Sequence, residues 1–148
     1  MKATQILKKD HQKVKDLIKK LKTAKRNQQE LVNTIDQEVK IHSRCEEQIF
    51  YPAVRRFDSE RVEESLREHQ QVDSILEELK QLVEDGGETF KSKIEELEEN
   101  ILNHVEEEEG EMFPESEREL KQDLQEMGTQ IQELKEELQE EYSRRKAA

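Results

Sequence analysis

Two stretches of similar sequence decide the fold, HSRCEEQIFYP at residues 42–52 and HVEEEEGEMFP at residues 104–114. In each stretch, a Glu stands four residues after the His and another stands five after it, an aromatic residue follows at nine and a Pro at ten. The whole chain contains four His and two Pro. Half of its histidines and both of its prolines therefore belong to one repeated motif.

A second repeat precedes each copy of the first. HQKVKDLIKKL at residues 11–21 matches HQQVDSILEEL at residues 69–79 at the His, the Gln, the Val, an aliphatic pair and the final Leu. The chain is therefore built from two tandem helix pairs, near residues 4–57 and 60–114. Each pair carries one His on its first helix and a His-x-x-x-Glu on its second.

The composition is typical of long amphipathic helices. Charged residues make up 42% of the 148 residues and hydrophobic residues 31%, with four Gly and two Pro to interrupt helices. No run of β-branched residues alternates with period two, as a strand would require. We therefore predict an all-α fold with one modest core, in which the duplicated helix pair forms an up-down-up-down four-helix bundle.

Charge and composition also exclude several classes of partner. The net charge is −12 and no basic stretch is interleaved with aromatic residues, which argues against a nucleic-acid partner because phosphate binding needs clustered Lys and Arg. No segment approaches the roughly 20 apolar residues of a membrane span, and no signal peptide is visible. Cys45 is the one cysteine, so an internal disulfide is impossible. These features predict a cytoplasmic protein that does not bind membranes.

Five helices follow from the periodicity and the capping residues. Asp58 and Ser59 offer caps for the third helix, Asp85–Gly87 ends it, and Ser116 with Glu119 forms a capping box that opens the fifth. Pro52 lies inside the second helix and predicts a kink or a break there. The predicted bounds are 4–22, a second helix ending near 57, 59–85, 88–114, and 116 to nearly the C-terminus.

The fifth helix stands apart from the bundle. We divide the chain into a four-helix bundle at 1–114 and a C-terminal helix at 115–148. The latter has apolar residues at spacings of four and three, which suit packing on the bundle or a coiled coil with another subunit. Gly128 interrupts this pattern and favours packing of the helix on its own bundle. Both a monomer and a homodimer through this helix stay open. The pattern consists of Leu120, Leu124, Met127, Ile131, Leu134 and Leu138.

The histidines lie on the apolar stripes of the first four helices. On the fourth helix, Phe90, Ile94, Leu97, Ile101, His104 and Glu108 are spaced by four or three residues and form one seam. His11, His42 and His69 continue the seams of the other helices in the same way, and Glu46 lies on the second. The sequence therefore predicts four histidines and two glutamates inside the bundle.

A metal centre explains why these polar residues face the core. An unpaired ionised carboxylate in an apolar interior costs several kcal/mol, and the seams contain no Lys or Arg to neutralise it. Residues i and i+4 lie on one helix face, so a His and a Glu can approach one ion or bridge two. The internal repeat favours two metals bridged by Glu46 and Glu108. Imidazole and carboxylate ligands suit iron, manganese or zinc. The predicted ligands are His11, His42, Glu46, His69, His104 and Glu108.

The combined pattern resembles the hemerythrin-like, or HHE cation-binding, domain. That pattern is a first-helix His, a His-x-x-x-Glu-Glu followed by an aromatic residue and Pro, a third-helix His and a second His-x-x-x-Glu, and it covers residues 3–114. The resemblance implies a non-heme di-iron centre, with iron favoured over manganese and zinc, held by the same six residues. It also implies that oxygen, nitric oxide, peroxide or iron is what the protein binds or senses.

Two positions depart from the oxygen-carrying members of that family. Those carriers have a second third-helix histidine one turn after the first, where this chain has Asp73. They also place the last carboxylate five residues after its His, which selects Glu109, whereas the seam and the internal repeat select Glu108. Asp73 could ligate, orient His69 or face solvent. Reversible oxygen carriage is therefore the least supported part of the resemblance.

Alternative functions remain open at this point. A di-iron oxidase or peroxidase, or an iron-handling or iron-centre repair protein, would use the same ligands as a binder or sensor, so enzymatic activity is undecided. A ferritin-like site is excluded because its Glu-x-x-His motif is absent. Packing is favoured over a redox role for Cys45, Tyr51 and Phe113, and contact of Cys45 with the site is a further alternative.

Overall fold

The structure, a computed structural model, describes residues 1–147, which fold into helices joined by short turns. Two π-helical segments, Glu46–Phe50 and Glu108–Met112, continue helices without a break. The described residues contain no strand, which confirms the all-α fold class. The α-helices are α1 (Ala3–Thr23), α2 (Gln28–Cys45), α3 (Tyr51–Val54), α4 (Ser59–Leu82), α5 (Gly87–Glu107), α6 (Phe113–Glu119) and α7 (Asp123–Ala147).

Four of these helices form the bundle. α1 packs on α2 and α5, and α4 packs on the same two helices, so the four close into a ring. The turns between them span residues 24–27, 55–58 and 83–86. Connections this short make consecutive helices antiparallel, which gives the up-down-up-down arrangement of a four-helix bundle.

The ends of α4 follow the predicted capping. The side chain of Asp58 accepts a hydrogen bond from the backbone N–H of Arg61 at 3.2 Å, which satisfies a donor at the start of the helix. After Leu82 the chain turns through Gly86 and Gly87, whose φ angles of 61° and 76° lie in the left-handed region that glycine tolerates best. The third predicted helix is thus confirmed to within three residues.

The start of α1 differs from the prediction. In the sequence Thr4 is a plausible N-cap of the first helix, but α1 begins at Ala3 and Thr4 is buried within it. The hydroxyl of Thr4 donates to Glu117 at 2.6 Å instead. This hydrogen bond ties the first turn of α1 to α6.

The core consists of two apolar clusters, and each bundle helix passes from one to the other at its histidine. On α1, Leu7 belongs to the first cluster and Val14 to the second, with His11 between them. On α4, Val62 and Val72 flank His69 in the same way. The buried histidines therefore occupy one layer between the two apolar clusters.

The C-terminal helix α7 packs against α1 and α2. Leu124 and Ile131 are fully buried there and extend the first apolar cluster. A Cβ on Gly128 would lie 2.0 Å from the backbone oxygen of Met1, so only glycine allows this close approach to the N-terminus of α1.

The predicted start of the fifth helix is wrong. Ser116 does not cap a helix; its hydroxyl donates to the carbonyl of Met112 at 2.8 Å inside a continuing helical run. That run ends only at Glu119, and α7 begins at Asp123 after a turn in which Lys121 has a φ of 22°. The sequence Ser-x-x-Glu resembles a capping box, but the preceding proline continues the helix instead of ending it.

The helices within residues 1–147 include none with the length and apolar character needed to cross a membrane.

Candidate metal centre

Two π-helical turns place the glutamates of the repeated motif. The backbone N–H of Tyr51 donates to the carbonyl of Glu46, five residues earlier, and Phe113 makes the same bond to Glu108. Each wide turn ends two residues before a proline, which has no N–H to donate. The helix thus widens just before Pro52 and Pro114 and continues past both without a break. Such turns are frequent at functional sites.

The six predicted ligands meet in the polar layer of the bundle. They lie on four helices and their continuing π-helical turns, and each is at most 8% exposed. His11 and His42 form one half of the centre, and His69 and His104 form the other, with ring centroids 4.9 Å and 5.1 Å apart. We call the following six the central residues: His11, His42, Glu46, His69, His104 and Glu108.

Glu46 and Glu108 are shared by the two halves. One cluster of donor atoms comes from His11, His42 and the two glutamates, and the other from His69, His104 and the same glutamates. Within each cluster these atoms lie within 4.8 Å of one another. The arrangement offers two neighbouring positions for a cation, with two carboxylates available to both.

The Nε2 atoms of the histidines point towards these glutamates. His11 Nε2 lies 3.0 Å from Glu108 Oε1, and His69 Nε2 lies 3.1 Å from Glu46 Oε1. His42 Nε2 is 3.2 Å from Glu46 Oε1, and His104 Nε2 is 3.3 Å from Glu108 Oε2. All four imidazoles therefore present the same ring nitrogen to the interior.

The Nδ1 atoms point outward, each to a different carboxylate. His11 Nδ1 lies 2.7 Å from Glu109, His42 Nδ1 2.9 Å from Asp10, His69 Nδ1 2.8 Å from Glu47 and His104 Nδ1 2.6 Å from Glu68. A carboxylate that accepts from one ring nitrogen fixes the tautomer and turns the other nitrogen towards a metal. We call these four the outer carboxylates: Asp10, Glu47, Glu68 and Glu109.

The outer carboxylates repeat the internal symmetry of the chain. Asp10 and Glu68 each precede a first-helix histidine, and Glu47 and Glu109 each follow a central glutamate. They link α1 to α2, α2 to α4, α4 to α5 and α5 to α1, so every interface of the bundle carries one histidine–carboxylate pair. The sequence prediction missed this role for all four, although the paired residues Asp-His or Glu-His and Glu-Glu recur in both repeats.

Tyr51 lies inside the centre, which packing alone does not explain. Its hydroxyl is 3.1 Å from Glu46 Oε1 and 3.2 Å from His69 Nε2, and it also donates to Glu108. The equivalent residue in the second repeat is Phe113, whose ring stacks on His11. The expectation of pure packing therefore fits Phe113 but is wrong for Tyr51, and only one half of the centre contains a phenol.

Charge pairing raises the pKa values of the histidines in the metal-free protein. Burial works to lower the pKa of His42, but the charges of Glu46 and Asp10 outweigh it and raise the pKa to about 10. His69 behaves in the same way, with burial opposed by its two glutamates and a pKa of about 9. Without a metal, these imidazoles hold protons that balance the buried carboxylates.

Three buried polar atoms of the centre have no hydrogen-bond partner among residues 1–147. They are His42 Nε2, Glu46 Oε2 and His104 Nε2. Buried polar groups in proteins are almost always paired, so unpaired ones call for a specific explanation. All three atoms belong to residues of the two donor clusters, and nitrogen and carboxylate donors together suit a divalent cation. The residues present thus fit a bound metal.

A small cavity of about 40 Å³ adjoins the four imidazoles. One water needs roughly 10–15 Å³ of such space, so the cavity has room for a molecule of two or three heavy atoms. Its remaining wall is mostly aliphatic, formed by Val14, Val39, Val72, Ile101 and Val105.

Asp73 lies outside both donor clusters and outside the cavity wall. Val72 faces the cavity instead, and Asp73 is half-buried with a pKa that burial raises above its usual value.

Glu109 contacts His11 Nδ1, whereas the carboxylate of Glu108 faces both halves. Cys45 is fully buried against α7, and burial raises the pKa of its thiol to about 12, as a packing residue requires.

Comparison with known proteins agrees with this geometry. The model of the hemerythrin HHE cation binding domain matches residues 2–116. A protein named DNA nickase from Nostoc sp. (strain PCC 7120 / SAG 25.82 / UTEX 2576) is 30% identical over 111 residues, which cover 73% of this chain and 31% of that protein. The chain thus spans about a third of the length of that relative. With the family model matched over most of its length, the chain belongs to the hemerythrin HHE cation-binding domain family.

Proposed function

We propose that the central residues hold two iron ions and that the protein binds or senses a small ligand, namely oxygen, nitric oxide or peroxide. The observation that carries this proposal is the common orientation of four buried imidazoles. Each directs Nε2 towards two shared glutamates and Nδ1 towards its own outer carboxylate. A structural role for the histidines would not require this fourfold repetition.

The donor set supports iron, and the repeat supports two ions. Imidazole and carboxylate ligands are those of non-heme iron proteins, although manganese and zinc accept them too. Glu46 and Glu108 each belong to both clusters, which suits bridging carboxylates. When bound, the iron pair supplies open coordination positions and redox chemistry.

The protein's own residues would then orient the ligands and limit access. The outer carboxylates fix the tautomer of each imidazole. The aliphatic wall excludes water and admits only small molecules, because the cavity measures about 40 Å³. This size favours a binder or sensor over an oxidase of organic substrates. The hydroxyl of Tyr51 adds a proton donor beside the half formed by His69 and His104.

The activity named for the Nostoc relative is not part of this proposal. This chain aligns with 31% of that protein. Its net charge of −12 is also unfavourable for binding DNA phosphates, which requires clustered Lys and Arg.

Absorption spectroscopy of the anaerobic ferrous protein tests the proposal. We expect two irons per chain and a spectral change on adding oxygen or nitric oxide that saturates with ligand. Val72→Leu narrows the cavity and should slow ligand binding without loss of iron, whereas Val83→Leu, at a buried site away from the cavity wall, should change neither. Retention of zinc alone, or a spectrum unaffected by these ligands, would contradict the proposal.

A further inference from the structure

The two halves of the centre differ in the charges that surround their outer carboxylates. In the half formed by His11 and His42, Asp10 is 7% exposed and binds His42 through one carboxylate oxygen. Its other oxygen accepts a hydrogen bond from Nζ of Lys135, whose side chain is 15% exposed. The charge of Asp10 is thus shared between an imidazole and a half-buried lysine.

The equivalent carboxylate in the other half has no such partner. Glu68 occupies the position of Asp10 in the second repeat and binds His104 Nδ1. Within residues 1–147, neither Lys nor Arg forms an ion pair with Glu68. Its neighbours are instead the carboxylates of Glu64 and Glu107, and the three groups lie within 4.8 Å of one another. Carboxyl groups, and not a lysine, therefore lie beside Glu68.

The remaining outer carboxylates do not differ in this way. Glu109 pairs with His11 and Glu47 pairs with His69, and among residues 1–147 neither carboxylate forms an ion pair with Lys or Arg. The difference between the halves is therefore the lysine on Asp10 against the carboxylates beside Glu68.

Lys135 has no counterpart in the internal repeat. It lies on α7, beyond residues 2–116 that match the family model. The bundle sequence alone could therefore not indicate that a side chain of the C-terminal helix reaches the outer carboxylates.

We infer that Lys135 is a positioning residue that acts through Asp10 and makes the two metal positions unequal. The half of His69 and His104 then binds a divalent ion more tightly than the half of His11 and His42. This inference rests on the proposed two-metal centre and adds an order of loading to it.

The physical reason is the charge next to each ring. An outer carboxylate raises the basicity of the imidazole that it binds and adds negative charge near the metal. A lysine on that carboxylate offsets the charge and repels a cation, and such interactions are weakly screened inside a protein. Lys135 meanwhile holds Asp10, and so His42, in place. The metal position of His11 and His42 should therefore be well ordered but should bind its ion more weakly.

Titration of the metal-free full-length protein with ferrous ion, anaerobically and against a competing chelator, tests this inference. We expect two binding steps. Asp10→Asn should lower the affinity of the looser step, and Glu68→Gln should lower that of the tighter step, each by about 10–100-fold. These two variants show which half of the centre is responsible for each step.

Lys135→Gln then separates charge from packing. It removes the positive charge and keeps a donor for Asp10, so the looser step should tighten by roughly tenfold while the other stays unchanged. Lys135→Arg should behave like the wild type. Lys80→Gln is the control, because Lys80 pairs with Asp36 at 2.8 Å away from the centre and should alter neither step.

The possible failures are distinguishable. Two steps of equal affinity, or a Lys135→Gln variant in which both steps weaken, would overturn the inference and leave the two-metal centre intact. Binding of one ion, or of none, would overturn the proposed function and this inference together.

Discussion

The carboxylate of Glu68 accepts a hydrogen bond from His104 Nδ1 at 2.6 Å. Glu68 directly precedes His69 on α4, and the two residues have separate roles. Glu68 orients His104 of α5, whereas His69 directs its own Nε2 into the centre. Asp10 and His11 do the same on α1. The helices are thus joined by the groups that orient the proposed ligands, and metal binding should be coupled to the stability of the whole bundle.

Replacement of the central glutamates should remove metal more severely than replacement of their neighbours. Glu46→Ala and Glu108→Ala each remove a carboxylate available to both halves, so we expect less than one tightly held ion per chain. Glu47→Ala and Glu109→Ala remove only an outer carboxylate and should lower affinity by about 10–100-fold. Metal analysis after dialysis against a weak chelator measures the difference. Equal losses in all four variants would refute the distinction.

Tyr51→Phe should destabilise the metal-free protein without changing its fold. The phenol donates to buried carboxylates, and hydrogen bonds to charged groups contribute about 1.5–3 kcal/mol. Phe113 at the equivalent place in the repeat shows that a phenyl ring is compatible with such a position. Urea denaturation of the chelated protein provides the measurement, with Tyr142→Phe near the end of α7 as control. A loss no larger than that of the control would show that the hydroxyl contributes nothing.

The metal-free protein should lose stability as pH rises above neutrality. His42 and His69 have folded pKa values of about 10 and about 9, against roughly 6.5 in an unfolded chain. A pKa raised on folding contributes stability that is complete below the unfolded pKa and disappears as pH rises through the folded one. The chelated protein should therefore melt at progressively lower temperature between about pH 6.5 and 10.

The stabilisation of the protein by bound metal should increase as pH rises. Imidazoles must lose their protons to ligate, so the increase in melting temperature caused by metal should grow across the same pH range. Because the pKa of His42 is about 10, this growth should continue well beyond the pH at which a free histidine is already neutral. Melting curves at several pH values with and without chelator test both trends. An increment that is constant with pH would exclude the histidines as ligands.

Asp73 should contribute nothing to metal binding. It lies outside both donor clusters, and the neighbouring Val72 faces the cavity. We expect Asp73→Asn to keep the affinity and spectrum of the wild type, and Asp73→His to gain no additional ligand. A changed ferrous spectrum in Asp73→Asn would place its carboxylate at the centre.

The sequence was sufficient to predict the bundle and the burial of its four histidines, Glu46 and Glu108. The apolar residues of each seam recur at a regular period, and a histidine such as His104 occupies one of the positions of that period. The same period places Glu108 inside and Glu109 at the margin, in agreement with their side-chain exposures of 1% and 32%. Periodicity works here because a buried seam constrains every third or fourth residue.

Features that depend on tertiary contacts could not be predicted in this way. Asp10 and Glu47 occupy positions that look solvated on an isolated helix, and only the neighbouring helix gives each its histidine. Pro52 predicts a kink or a break and Pro114 predicts a helix end, whereas a π-helical turn precedes each of them in the structure. Proline indicates a lost hydrogen bond but not how the chain compensates. Lys135 reaches the centre only because α7 folds back onto the bundle.

The metal content of the reconstituted protein tests the two-metal centre most directly. The metal-free chain is loaded with ferrous ion under anaerobic conditions, freed of excess metal and measured for iron per chain, and its melting temperature is compared before and after chelation. We predict two irons per chain and a clear drop in melting temperature on their removal. Protein that retains no iron, and that melts at the same temperature with and without chelator, would contradict the centre altogether.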